Sequence, residues 1–204
     1  MRHSTIRAGR LLALLLLPVL LGGCGPVGLA VGAGATAGLG SAQERGAGGT
    51  ASDTLLRARI NEAWFRGNVE VLDRIGLSIS EGRVLLTGAV ADEALRAEAV
   101  RLTWQAEGVR EVINEIQVVP RRDGSDSARD SWITAQLRTA ITMDGQIQSI
   151  NYSIETVEGV VYLIGIAQSA AEIDRVINHA RNIAYVRRVV SHVLTRDDPR
   201  RRPA

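Results

Sequence analysis

Apolar residues recur along the chain at helical and at extended spacing, and the resulting order of elements occurs twice. Intervals of three and four residues between apolar positions predict a helix with one buried face in each half of the chain. These positions are Leu56, Ile60, Ala63 and Trp64 in the first half, and Ile133, Leu137, Ala140 and Ile141 in the second. Asp53 lies just before the first set and Asp130 just before the second, and we expect each carboxylate to cap a helix N-terminus.

A hairpin of two short strands is predicted after each of these helices. The strands cover residues 77–80 and 84–87 in the first half, and residues 152–156 and 161–164 in the second. A Glu-Gly pair at 81–82 and again at 158–159 forms each turn, because glycine supplies the positive φ that a tight hairpin commonly requires. Gly88 and Gly165 directly follow the second strand of each hairpin, and we expect each of them to end its strand.

A second helix and a closing strand complete each half. The helices are predicted over residues 92–106 and 170–184, and the strands over residues 109–118 and 186–194. Ser169 and Glu172 have the spacing of a capping box, which predicts the start of the later helix. The order α-β-β-α-β places the last strand beside the hairpin through a helical crossover. The sequence therefore predicts the α+β class, with a three-stranded mixed sheet packed against two helices in each half.

The two halves are copies of one unit, offset by 77 residues without a gap. Residues 81–88 align with residues 158–165, and residues 109–112 align with residues 186–189. Internal repetition at a fixed period indicates tandem copies of one domain. We therefore expect domains at 50–119 and 126–196, a linker at 120–125 and a disordered tail at 197–204.

The beginning of the chain has the pattern of a lipoprotein signal followed by a tether. Basic residues precede the apolar run 11–21, and small residues follow it, which is the order of a secretory signal peptide over 1–23. The segment Leu-Gly-Gly-Cys at 21–24 resembles the lipobox of bacterial lipoproteins, so we expect acylation of Cys24. The alternative is a plain signal peptide with an incidental cysteine. Residues 24–49 are mostly small, which predicts a flexible tether.

Composition and charge exclude several classes of protein. With 46% apolar and 23% charged residues, the chain can build packed cores, and its single cysteine excludes a disulfide scaffold. After cleavage the chain carries 21 arginines, no lysine and 22 acidic residues, so we do not expect a nucleic-acid binder. Residues 50–119 carry 8 arginines against 11 acidic residues, whereas residues 121–204 carry 12 against 10. The second half is therefore the positive one.

The sequence lacks the residue patterns of a catalytic or metal site. His179 and His192 have no cysteine, aspartate or second histidine at ligand spacing, so we interpret both as structural. Cys24 is expected to be acylated and is not available as a nucleophile. The adjacent acids Asp92 and Glu93 are better placed at a helix start. We therefore expect no enzyme activity, no cofactor and no metal ion.

The repeated motif places glycines at fixed points around a short apolar strand. In the first copy it comprises Gly82, Val84-Leu85-Leu86-Thr87-Gly88 and Gly108-Val109-Arg110-Glu111-Val112-Ile113-Asn114. This motif resembles the BON domain of bacterial envelope proteins, although the second copy has Tyr185 in place of the glycine of the Gly-Val pair. A lipobox, a small-residue tether and two BON units together resemble an outer-membrane lipoprotein that faces the periplasm. The resemblance implies that the second unit binds anionic phospholipid through its first helix and that the protein supports envelope integrity.

The residues that the resemblance implies for lipid binding lie on the opening helix of the second copy. They are Trp132, Ile133, Gln136, Leu137, Arg138 and Thr139. Helical spacing turns Ile133 and Leu137 toward the core, and Trp132, Gln136 and Thr139 toward another face. An amphipathic tryptophan suits a membrane interface, and Arg138 can donate to a lipid phosphate. The alternative is that Trp132 covers the core or packs against the first unit.

Two other functions are alternatives to lipid binding, and the sequence disfavours one of them. A protein-interaction module would dock an envelope protein partner without direct lipid binding, for example through an exposed sheet edge. A binder of peptidoglycan or another polysaccharide is disfavoured by the aromatic content of 3%. Salt-sensitive binding to anionic vesicles separates the lipid-binding hypothesis from the other two.

Overall fold

The predicted order α-β-β-α-β is present in both halves of the computed structural model, which describes residues 43–119 and 124–201. The predicted signal peptide, Cys24 and most of the tether lie outside these residues. The first domain contains α1 (Gly46–Gly67), α2 (Val69–Arg74), β1 (Ile75–Ser80), β2 (Arg83–Val90), α3 (Glu93–Trp104) and β3 (Glu111–Val118). The second contains α4 (Gly124–Met143), a 3-10 turn (Ser149–Asn151), β4 (Tyr152–Val157), β5 (Val160–Ala167), α5 (Ala170–Arg181), β6 (Arg188–Ser191) and β7 (Leu194–Thr195).

Each half builds a mixed sheet of the predicted topology. Strand β1 pairs antiparallel with β2, and β3 lies parallel to β2 on its other side. Strands β4, β5 and β6 repeat this arrangement, and the short β7 continues the parallel pairing with β5. The register is also repeated, since Ile75 faces Gly88 and Tyr152 faces Gly165. The predicted closing strand of the second copy is divided into β6 and β7, and the carbonyl of His192 at the break accepts a hydrogen bond from Arg83 at 2.9 Å.

Asp53 and Asp130 lie inside helices α1 and α4 and do not cap their N-termini, contrary to the prediction. The carboxylate of Asp53 accepts both N–H groups of the hairpin turn 81–82, at 2.9 and 3.0 Å. Asp130 accepts the N–H groups of the turn 158–159, both at 2.8 Å. All four turn residues have positive φ between 52° and 73°, as a type I′ turn requires. Each aspartate therefore ties the first helix of its domain to the hairpin.

Gly88 and Gly165 lie within β2 and β5 and do not end these strands as predicted. Their φ values are 136° and 153°, which side chains rarely allow. A Cβ atom on Gly88 would lie 2.5 Å from the carbonyl oxygen of Arg74, and one on Gly165 would lie closer still to that of Asn151. Glycine at these positions therefore permits the close approach of the chain entering β1 and β4.

The second helix of each domain begins close to the predicted residue. Asp92 caps α3 by accepting the Leu95 N–H at 2.8 Å. Ser169 caps α5 by accepting the Glu172 N–H at 3.3 Å, as the capping-box pattern predicts. These helices end at Trp104 and Arg181, slightly before the predicted ends.

Each domain has its own apolar core between the helices and one face of the sheet. Leu56, Ile60 and Trp64 of α1 belong to the first core, as their spacing predicts. Ile133, Leu137 and Ile141 of α4 belong to the second. The indole N–H of Trp64 donates to the hydroxyl of Thr103 at 3.1 Å, which satisfies the polar atom of a fully buried ring.

A third apolar cluster lies between the two domains, where the other faces of the sheets meet. Its buried members are Leu85, Ala89, Val157, Val160, Tyr162 and Ile164. The contacts are reciprocal, since β1 contacts β5 while β2 contacts β4. Positions that are equivalent in the two copies also meet: Ser78 donates to Glu155 at 3.1 Å, and Glu115 lies 2.9 Å from His192. The two domains are thus related by an approximate two-fold axis through their shared interface.

The segments just outside the predicted domains cross over to the opposite domain. Helix α1 begins at Gly46 within the predicted tether, and the preceding Glu44 accepts a hydrogen bond from Gln168 of the second domain at 2.8 Å. Helix α4 begins at Gly124 within the predicted linker. In the predicted tail, Arg201 forms an ion pair with Glu81 of the first domain at 2.7 Å, with both side chains less than a tenth exposed. Part of the predicted tail therefore contacts the first domain.

Candidate functional site

Helix α4 places one face of its side chains in the core of the second domain. Ile133 and Leu137 are 0% exposed, and Ile141 is 1% exposed. Ile133 and Leu137 were predicted to bind lipid, but their burial leaves no surface for contact with a membrane. Their role in this structure is to hold α4 against the sheet.

The opposite face of α4 is an exposed strip without a charged side chain. A helix turns by about 100° per residue, so positions three or four residues apart share a face. The exposed strip consists of Ala128, Trp132, Ala135, Gln136, Thr139 and Met143. Trp132 is 43% exposed and Met143 is 81% exposed. Three of the predicted site residues, Trp132, Gln136 and Thr139, therefore lie on one accessible surface.

Trp132 forms an aromatic pair with Tyr185, which lies in the turn before β6. The ring centroids are 6.0 Å apart and the ring planes are inclined by 71°, an edge-to-face arrangement. The guanidinium carbon of Arg129 lies 5.2 Å from the centroid of the Tyr185 ring, within range of a cation–π interaction. These three side chains form an exposed cluster, called here the aromatic cluster, at one end of the strip.

Tyr185 occupies the position of Gly108 in the first copy and adopts a glycine-like backbone conformation. Its φ is 68°, compared with 104° at Gly108, and such a conformation costs a non-glycine residue about 1–2 kcal/mol. The turn is otherwise preserved, because the Tyr185 carbonyl approaches Gly159 as the Gly108 carbonyl approaches Gly82. The sequence identified Tyr185 only as a departure from the repeat. Its contact with Trp132 joins distant positions, so no local pattern could reveal it.

Two arginines flank the exposed strip on opposite sides of α4. Arg129 belongs to the aromatic cluster and also pairs with Asp126 at 3.1 Å. Arg138 lines a groove at the junction of the two domains. Within the described residues, its guanidinium group has no hydrogen-bond or ion-pair partner, although its charge acts on Glu155. The predicted residue Arg138 therefore lies beside the strip and not on it.

The charge of Arg138 acts on Glu155, a carboxylate that lines the same groove. Burial raises the pKa of Glu155 above its ordinary value, because the charged carboxylate is poorly solvated. The hydroxyl of Ser78 and the charges of Arg138 and Arg57 oppose this shift. The junction of the domains therefore holds one carboxylate between arginines contributed by both copies.

Helix α1 of the first domain presents a different surface at the equivalent positions. The counterparts of Trp132, Gln136, Thr139 and Met143 are Leu55, Arg59, Glu62 and Arg66. Glu62 and Arg66 pair with each other at 2.5 Å. Gly108 contributes no ring, and an open cavity of about 530 Å³ lies beside it. Among the described helices, the uncharged strip with an aromatic cluster thus belongs to α4 and not to its counterpart α1.

The two described histidines each contact a carboxylate. His179 lies 2.8 Å from Asp144, and this contact, followed by the Gln146 N–H, lowers the pKa of Asp144. His192 lies 2.9 Å from Glu115 across the domain interface. Over residues 43–119 and 124–201, no group of three or more His, Cys, Asp or Glu side chains could hold a metal ion. The histidines therefore have structural partners that are distant in the sequence.

None of the helices within the described part of the chain is long and apolar enough to cross a bilayer. The exposed strip of α4 is apolar or neutral, and the opposite face of the helix is buried in the core of the second domain.

Comparison with known proteins finds the BON domain twice, over residues 52–120 and 129–197. An uncharacterized protein from the gshII 5' region of Anaplasma centrale is 40% identical over 74% of this chain and 99% of its own length. The outer membrane lipoprotein DolP of Haemophilus influenzae is 30% identical over 75% of this chain and 79% of its own length. The osmotically-inducible protein Y of Escherichia coli is 28% identical over 71% of this chain and 73% of its own.

Proposed function

The chain belongs to the BON-domain family, with one copy of the domain in each half, and we propose that it is a non-enzymatic lipoprotein of the outer membrane that binds anionic phospholipid. In this proposal the protein faces the periplasm, contacts lipid through its second domain and supports the integrity of the envelope. The similarity to a protein named as an outer membrane lipoprotein supports this location.

The observation that carries the proposal is the surface of α4. The uncharged strip can approach a membrane without desolvating a charge, and the indole of Trp132 suits the boundary between headgroups and acyl chains. Arg129 and Arg138 on either side can donate charge-assisted hydrogen bonds to lipid phosphates. The acidic balance of residues 50–119 disfavours the first domain as the surface that faces anionic lipid.

Anchoring through Cys24 completes the proposal. Lipoproteins carry several acyl chains, which give stable membrane attachment where one chain would give only marginal binding. Substitution Cys24→Ser should prevent acylation and leave an uncleaved or soluble protein. Fractionation of the Cys24→Ser protein with the outer membrane would show that the anchor lies elsewhere.

Binding to vesicles tests the proposed surface. We expect Trp132→Ala to weaken binding to vesicles containing anionic phospholipid by about 1–3 kcal/mol, because an interfacial indole loses its apolar contact and its polar N–H. Tyr185→Gly should weaken binding as well, and it restores the residue type that the first copy has at this turn. Leu55→Ala on α1 is the matched control and should have little effect.

Thermal unfolding provides the control for these variants. Trp132 is 43% exposed, so we expect Trp132→Ala to unfold at nearly the parental temperature. If folded Trp132→Ala and Tyr185→Gly proteins both bind vesicles like the parent, α4 is not the lipid surface.

A protein-interaction module is the second candidate, and exposed apolar residues of the first domain favour it. Phe65, Val69 and Trp104 are 67%, 54% and 51% exposed. Their counterparts in the second domain are the polar residues Thr142, Gln146 and Arg181. The hydrogen bond from Trp64 to Thr103 joins α1 and α3 at the positions immediately before Phe65 and Trp104. Photo-crosslinking from position 104 in intact cells would detect a protein partner at this surface.

A further inference from the structure

A polar groove of about 470 Å³ lies where the two domains meet, and both domains contribute to its walls. Arg57 of α1 and Ser78 of β1 come from the first domain. Arg138 and Thr142 of α4, together with Glu155 of β4, come from the second. No pattern in the sequence indicates the groove or a role for Arg57.

Arg57 and Arg138 use few of their N–H donors in hydrogen bonds within the described part of the protein. One N–H group of Arg57 donates to the Leu77 carbonyl at 2.7 Å, which positions the side chain at the groove wall. In the part of the chain that the structure describes, the guanidinium group of Arg138 has no hydrogen-bond or ion-pair partner. Both groups retain donors, and a guanidinium group can bind two oxygen atoms of one phosphate.

The charges in the groove match a ligand with a single negative charge. The charges of Arg57 and Arg138 both act on Glu155, whose carboxylate also accepts the Ser78 hydroxyl at 3.1 Å. Two guanidinium groups against one carboxylate leave a net charge of about +1 when Glu155 is ionised. A phosphate diester carries one negative charge and therefore neutralises the groove.

The groove is also adjacent to the exposed strip of α4. Arg138 and Thr142 line the groove, and both lie on the flank of α4 next to the strip. A phosphate held at a membrane surface that the strip contacts would therefore lie close to the groove.

We propose that the groove between Arg57 and Arg138 binds the phosphate diester of an anionic phospholipid, so that both domains take part in lipid recognition. This inference rests on the proposed function, because it takes α4 as the membrane-facing helix. It extends that function by assigning a headgroup site to the junction of the domains and a binding role to Arg57 of the first domain.

The test is vesicle cosedimentation with the chain from residue 25 onward, so that neither the apolar signal peptide nor an acyl anchor contributes. The vesicles are phosphatidylcholine with or without phosphatidylglycerol. We expect Arg57→Gln to weaken binding to the anionic vesicles about tenfold, the usual effect of one charge-assisted hydrogen bond. Arg66→Gln is the matched control, because it removes the same charge from the same helix at a position away from the groove. It should change binding much less.

A second variant keeps the proposal testable if Arg57→Gln perturbs the fold. Glu155→Gln removes the carboxylate that opposes an anion but retains an oxygen that can accept from Ser78. We expect it to strengthen binding to the anionic vesicles severalfold, because a phosphate then meets both arginines without repulsion. Unchanged or weaker binding by folded Glu155→Gln contradicts the proposal.

The outcomes separate this inference from the proposed function. If Arg57→Gln and Arg66→Gln bind alike while Trp132→Ala binds weakly, the groove is not the headgroup site and the lipid-binding function stands. If Trp132→Ala also binds like the parent, both fail. Titration with soluble glycerophosphoglycerol distinguishes the source of the phosphate. Tight binding of this soluble diester, lost in Arg57→Gln without any change in vesicle binding, would overturn the assignment to lipid.

Discussion

At the scale of single residues, two buried aspartates connect the first helix of each domain to its hairpin. Asp53 is 6% exposed and Asp130 is 4% exposed, and each accepts two backbone N–H groups of a turn. A type I′ turn directs its N–H groups away from the ladder, so these donors need an acceptor when they are buried. The aspartate supplies it from a neighbouring element.

We predict that Asp130→Ala lowers the free energy of unfolding by about 2–4 kcal/mol, because two N–H groups lose a charged acceptor. Asp126→Ala, one helical turn earlier on α4, removes only an ion pair with the exposed Arg129 and should cost less than about 1 kcal/mol. Urea denaturation of the two variants measures the difference. Equal costs would show that the contact of Asp130 with the turn contributes little.

Glu155 should make stability fall as pH rises. Its pKa in the folded protein is raised by burial, so the folded state binds its proton more tightly than the unfolded state does. Stability is therefore lost as pH rises from the unfolded value through the folded pKa. Glu155→Gln should stabilise the protein at neutral pH and have little effect at acidic pH.

Glu98 provides a control of opposite sign for this prediction. Its pKa is lowered by a hydrogen bond from Arg101, so its contribution is present at neutral pH and lost as pH falls. Glu98→Gln should therefore destabilise the protein at neutral pH but not at acidic pH. Urea midpoints of both variants at the two pH values test this, and parallel changes in the two variants would contradict it.

At the scale of elements, α1 and α4 have equivalent buried faces and different exposed faces. The buried faces were predictable because the cores impose helical spacing on apolar residues. The elements that the sequence did not predict are short or depend on distant contacts. Helix α2 has only six residues, and the break between β6 and β7 occurs where a carbonyl turns toward Arg83 of the other domain.

The candidate site was predictable only in part, for the same reason. Trp132, Gln136 and Thr139 share a helix face, which periodicity indicates directly. The ring of Tyr185 and the groove beside Arg138 are formed by residues from other elements and, for the groove, from the other domain. Local spacing carries no information on such tertiary contacts. The prediction that Gly88 ends its strand was wrong for a related reason, because glycine is also required where two backbone segments approach closely.

A charge placed in the exposed strip of α4 should disrupt the proposed membrane contact. We predict that Thr139→Glu, which introduces the residue found at position 62 of the first domain, weakens binding to anionic vesicles severalfold. The effect should shrink as salt rises, because screening reduces the repulsion. Thr139→Gln has a similar size without the charge and should bind like the parent. Similar binding by both variants would show that position 139 does not face the membrane.

At the scale of the whole molecule, the two domains are joined by an apolar interface and by the segments at both ends of the described chain. Gln43 donates to the Ile150 carbonyl at 3.1 Å, and Arg45 pairs with Asp53 at 2.8 Å, so the first segment touches both domains. Arg201, which follows the second domain, forms an ion pair with Glu81 of the first. The domains should therefore unfold together.

We predict that Arg201→Met lowers the free energy of unfolding by about 3–5 kcal/mol, because it leaves the buried carboxylate of Glu81 without its cation. The double variant Glu81→Gln with Arg201→Met should cost less than the sum of the single changes. Arg200→Met removes an ion pair with Asp198 whose arginine is exposed, and it serves as the control. A double-mutant cycle by urea denaturation measures the coupling, and strictly additive costs would contradict it.

The contacts Ser78–Glu155 and Glu115–His192 between equivalent positions differ from those that a symmetric dimer could form. In a dimer of identical single-domain chains, a residue on the two-fold axis meets its own copy, so Glu155 would face a second glutamate and Glu115 would do the same. Here the partners are Ser78 and His192, a donor and an imidazole. Covalent fusion of the two copies thus allows each axial position to diverge independently, and like-charged neighbours are replaced by complementary ones.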